Sequence, residues 1–126
     1  MRHLYNRSDF ASLPTLDLDP RLHLLLSQRI AALEEELIDW TEYLVVEPGD
    51  TEADIQRHIG LSPLVDPVSG KRWGEEGFHP GWDYHAKHDG WWELLFTFGS
   101  TFAYVVFIAD AEGVPGDLLD LCRRLP

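Results

Sequence analysis

A chain of 126 residues with 44% hydrophobic and 25% charged side chains reads as one globular domain, long enough to bury a core without a metal or disulfide. Its 22 acidic and 10 basic residues leave a net charge of −12, which speaks against nucleic acid or an anionic membrane as partner and suits a basic protein. The single cysteine excludes an internal disulfide framework, and no continuous apolar run suits a secretory signal or a membrane span, so a cytoplasmic setting is expected.

Residues 1–18 carry no clear period and read as an N-terminal arm that packs Leu4, Tyr5, Phe10 or Leu13 onto the body, or frays. Asp19-Pro20 is a strong helix start, with the carboxylate as N-cap and proline preorganised in the first turn. Leu22, Leu25, Leu26, Ile30, Leu33 and Leu37 then recur at helical spacing as one apolar stripe, with Glu34, Glu35 and Glu36 on the exposed side. The stretch from Trp40 to Glu47 reads as a strand apolar on both faces, ended by Pro48-Gly49. Thr51 and Asp54 have capping-box spacing for a short helix that Gly60 ends.

Residues 61–81 hold three prolines and four glycines without a period. They imply either a short hairpin around 68–73 turning at Ser69-Gly70, or a flap pinned by Leu64, Val65, Trp73 and Phe78. Trp82 to Ala86 alternates like a strand and leads into the most hydrophobic stretch, Trp91 to Asp110. There Gly99-Ser100 lies midway between two aromatic and β-branched runs, as in a hairpin with a two-residue loop. In that register Trp92, Leu94, Phe96 and Phe98 share the core face with Ala103, Val105 and Phe107. The opposite face would carry Trp91, Leu95, Phe102, Tyr104, Val106 and Ile108. A last helix begins near Asp117, with Leu118, Leu119, Leu121, Cys122 and Leu125 apolar.

The implied class is α+β: an antiparallel sheet, made of a meander of about three strands plus strand 40–47, with helices packed mainly on one face. The segments YLVVEPGDTEADI, GWWELLFTF and FIADAEGVPGDLLDLCR, within residues 40–124, together resemble a group of small bacterial proteins. That resemblance implies a bacterial, cytoplasmic setting and supplies no activity and no catalytic residues.

Two constellations bear on function. His79, Asp83, His85, His88, Asp89 and Glu93 form the densest polar cluster, and imidazole with carboxylate suits a borderline metal such as zinc. Asp83, His85 and His88 are the metal candidates, although residues three apart on a strand point to opposite faces. The aromatic group Trp73, Phe78, Trp82, Tyr84 and Trp91 would form a recognition surface if several members were exposed, and core otherwise. There is no phosphate loop or HExxH helix, no cofactor is expected, and Cys122 reads as a core thiol.

Three readings follow. The first is a non-enzymatic acidic protein-binding module of the immunity, antitoxin-like or anti-defence kind. The second is a small metal-dependent hydrolase using the 79–93 cluster. The third is a homodimerisation module joined through the second hairpin face, with Tyr104 or Phe102 in the contact.

Overall fold

A computed structural model describes residues 1–126. The chain runs β1 (Arg2–Leu4), α1 (Arg7–Ser12), a 3-10 turn (Leu13–Thr15), α2 (Pro20–Glu35), β2 (Trp40–Val46), α3 (Glu52–Ile59), β3 (Tyr84–His88), β4 (Trp91–Phe98), β5 (Phe102–Ala109) and α4 (Gly116–Arg123). The five strands form one sheet in the order β1-β2-β5-β4-β3. All pairings are antiparallel except that of β2 with β5, which is parallel. The class is α+β as expected, but the sheet is mixed and five-stranded, not an antiparallel meander with one added strand.

The hairpin differs from expectation by one residue, and the cause lies on another strand. Gly99 takes a left-handed φ of 64°, and the Thr101 N–H reaches the Phe98 carbonyl at 3.4 Å, but the loop spans three residues, Gly99 to Thr101, instead of the expected two. The Thr101 carbonyl, however, accepts from the Trp40 N–H at 2.9 Å. Thr101 is thus drawn to β2, and the ladder across the hairpin closes on Phe98 and Phe102. A slip of one residue turns every β5 side chain to the other face. Trp92, Leu94, Phe96 and Phe98 therefore share a face with Phe102, Tyr104, Val106 and Ile108. Trp91, Glu93 and Leu95 share the other with Ala103, Val105 and Phe107. The proposed core face and its apolar reverse do not exist as such.

Both faces are covered, which corrects the expectation that helices sit mainly on one. α2 lies over the Trp91–Glu93–Phe107 face, where Arg29 bonds Glu93 and Asp19 accepts from Trp91. α3 and the 61–81 segment lie over the opposite face. Gly81 packs near Phe96, Arg72 pairs with Glu52 of α3, and the Trp73 indole donates to Asp120 of α4. A parallel pair buried on both faces reads as an unbroken apolar run. That is why YLVV in β2 and VVFIA in β5 show no alternation, and Tyr43 through Val46 and Val105 through Ala109 are all buried.

The N-terminal arm is structured. β1 pairs with β2 from Arg2↔Val45 to Leu4↔Tyr43, and Leu4 and Leu13 enter the core. Asp19 caps α2 by accepting from the Arg21 N–H at 2.9 Å. The Arg21 guanidinium and that N–H hold its carboxyl far below the usual carboxylate range. Thr51 and Asp54 form the reciprocal capping box of α3, and Gly60 ends the helix at φ 75°. Within 61–81, Asp66 and Lys71 pair through backbone at 2.8 Å and Val65 bridges Arg72, a tight loop held by buried Leu64.

α2 stops earlier than its apolar stripe. Leu37 lies past the helix end at φ 57° and is 83% exposed, so it is not the last buried position of that stripe. A branched side chain in the left-handed region is strained where glycine is not. Leu37→Gly is expected to stabilise the protein by about 1 kcal/mol, read as a higher urea midpoint at unchanged slope. A midpoint that falls would show that Leu37 carries packing that outweighs its backbone strain.

Candidate functional site

The polar cluster of residues 79–93 disperses when the chain folds. Asp83 accepts from the Thr97 N–H at 2.9 Å and from the Thr97 hydroxyl. His85 faces the α3 side, where its Nδ1 accepts from the Trp82 indole at 3.3 Å. His88 faces the α2 side, where its Nε2–H donates to Glu93 Oε1 at 2.9 Å. His79 is exposed in the preceding loop, and Asp89 pairs with Arg21. The metal candidates Asp83, His85 and His88 thus have three separate partners, because β3 alternates its side chains as any strand does. No group of three or more His, Cys, Asp and Glu side chains converges as metal ligands would.

One pair from that cluster does meet, with a third member that the sequence did not suggest. Glu93 is buried on β4, and Arg29 of α2 donates its Nε–H to Oε2 at 2.6 Å while His88 occupies Oε1. The guanidinium also lies 5.3 Å from the Tyr84 ring centroid. A cavity of about 220 Å³ opens beside them, lined by Leu25, Gln28, Arg29, Ala32, Tyr84, His88 and Glu93. The Glu93 carboxylate pairs directly with the Arg29 guanidinium. The pair links α2 to the sheet.

The expected aromatic surface is also divided. Trp82 and Trp91 are buried on opposite sides of the sheet, Trp82 against Phe96 and Trp91 beneath Asp19. Trp73 and Phe78 pack edge to face with centroids 5.9 Å apart, partly buried on the core, and Tyr84 is exposed beside Arg29. These five residues do not make one surface. Cys122 is buried in α4, and that burial pushes its thiol up to about 12, which keeps it protonated and unreactive at neutral pH.

A different aromatic group is exposed. Trp40, Phe102 and Phe98 are register partners on the neighbouring strands β2, β5 and β4, on the α3 face at the hairpin end. Their exposures are 41%, 41% and 43%. Phe98 and Tyr104 pack edge to face at 5.7 Å, and with Phe102, Ile59 and Leu61 they line an all-apolar hollow of about 370 Å³. Burial and the nearby Glu42 charge raise the Tyr104 phenol. The Trp40 indole donates to Glu42 Oε2 at 2.8 Å, and Glu42 Oε1 accepts from His3 Nε2 at 2.6 Å. His3 in turn lies against His58 of α3, Nδ1 to Nδ1 at 3.3 Å.

Sequence reasoning placed Phe98 in the core and did not single out Trp40. The available signal was position: all three lie at strand ends, where the covering helix has run out. No helix is long and apolar enough to cross a membrane. No family model, curated protein or solved structure matches this chain.

Proposed function

We propose that the protein is a non-enzymatic binding module that captures a basic protein through the row Trp40–Phe102–Phe98. The observation that carries this reading is the row itself. Three large aromatics stand exposed side by side on a rigid sheet, next to an apolar hollow. Rigid aromatics lose little entropy on binding and dominate interface energetics. Trp40 is already held by Glu42, so part of the ordering cost of binding is met beforehand. The −12 charge gives the partner its sign: a basic surface is drawn in by long-range attraction and then docks on the aromatics. Proteins that grip nucleic acid carry such basic surfaces, so a nucleic-acid-acting toxin or effector is the partner type that an immunity or antitoxin-like role would require.

The test is a comparative pull-down from the native host using the wild type and a Phe98→Ser/Phe102→Ser variant. Both positions are exposed, so the variant keeps the fold. The expected result is a basic partner held by the wild type, weakened by salt, and bound at least tenfold more weakly by the variant. Equal retention by both proteins would overturn the reading. So would sedimentation showing a dimer of the 14.4 kDa chain that the variant abolishes, since the row would then face its own copy.

A further inference from the structure

We infer that His3 and His58 form a two-histidine site for a borderline divalent cation, zinc being the reference ion. Glu42 sets the tautomer of His3. A carboxylate only accepts, so the 2.6 Å contact to His3 Nε2 places the proton on Nε2. In the neutral ring Nδ1 is then bare and offers its lone pair. His58 Nδ1 stands 3.3 Å from that atom, with the two rings nearly perpendicular at 77°. Two imidazole nitrogens each about 2.0–2.1 Å from one tetrahedral zinc lie about 3.3–3.4 Å apart. The pair is already at the separation that shared coordination requires.

The surroundings add the second half of a metal site. A ligating histidine characteristically donates its other N–H to a carboxylate, which fixes the tautomer and raises ligand basicity. Glu42 does this for His3 and is itself held by the Trp40 indole at 2.8 Å. His3 is set by the β1–β2 ladder and His58 by α3, so two elements that are distant in sequence fix the geometry. The side chain of His3 is 15% exposed while His58 is exposed, which leaves an approach from solvent. With two protein ligands, water completes the coordination. The ion is therefore exchangeable and does not hold the fold together. Imidazole donors select zinc, copper or nickel over calcium or magnesium.

The site touches the aromatic row through Trp40 and Glu42, but its test requires no partner. Untagged protein is titrated calorimetrically with zinc chloride. The expected result is saturable binding of one ion per chain, with no comparable binding of magnesium. His58→Gln, at an exposed helix position, should keep the melting curve and lose at least about tenfold in affinity. Glu42→Gln keeps both ligands and should weaken binding by about tenfold through the loss of ligand orientation. His88→Gln, on the opposite face of the sheet, should bind as the wild type does. Absence of saturable binding at submillimolar zinc overturns the site, and so does binding that survives His58→Gln unchanged.

Discussion

Arg29→Met is expected to cost about 3 kcal/mol of stability, read as a lower denaturation midpoint at unchanged slope. The Glu93 side chain is only 4% exposed and meets Arg29 at 2.6 Å. The methionine stem still covers the sheet, so the loss comes from the stranded carboxylate and not from packing. His88 alone keeps one hydrogen bond on it. An uncompensated charge in that position is far more costly than the intact pair is favourable. The double variant Arg29→Met/Glu93→Met should recover most of the loss, because it removes the charge that the single variant leaves behind. If Arg29→Met costs under about 1 kcal/mol, water reaches Glu93 through the neighbouring cavity and the fastening role falls.

Phe107→Ala should cost about 4 kcal/mol. Phe107 is fully buried on β5, the middle strand, and packs beneath α2 with Val45 on one side and Glu93 on the other. Removing the ring leaves a void that rigid neighbours on three strands cannot close. Phe98→Ala is the comparison, since it deletes the same ring from a 43% exposed site and should cost well under about 1 kcal/mol. Equal losses at the two positions would contradict the observed register, in which one ring is core and the other surface.

The local signals were legible, and the long-range ones were not. Asp19-Pro20, the Thr51–Asp54 box, Gly60 and the left-handed Gly99 all act over a few residues and appear where the sequence places them, although the Gly99 loop is one residue longer than expected. The register is not legible in the hairpin because its determinant is distant. The Thr101 carbonyl is claimed by Trp40, a residue of another strand, and no pattern within 91–110 records that. The side that helices cover was hidden for a related reason. In β2 and β5 both faces are apolar, so period carries no information about which face is inside. The metal and aromatic candidates are near one another in sequence but not in space. The residues that do meet, Arg29 with Glu93 and His3 with His58, are brought together by packing across 64 and 55 positions.

The parallel pairing at the centre of the sheet also has a kinetic side. Val45 pairs with Phe107, 62 positions later, and β1 has no partner except β2. The β4–β5 hairpin closes through a short turn and can form quickly, but β2 must wait until that template exists. During synthesis the run YLVV therefore leaves the ribosome long before the strand that will cover it. Closing so long a loop is entropically slow, and refolding should be correspondingly slow for a chain of this size. Until then β2 presents two apolar faces and an open edge where β5 will pair, the form in which a strand is most prone to pair with another chain.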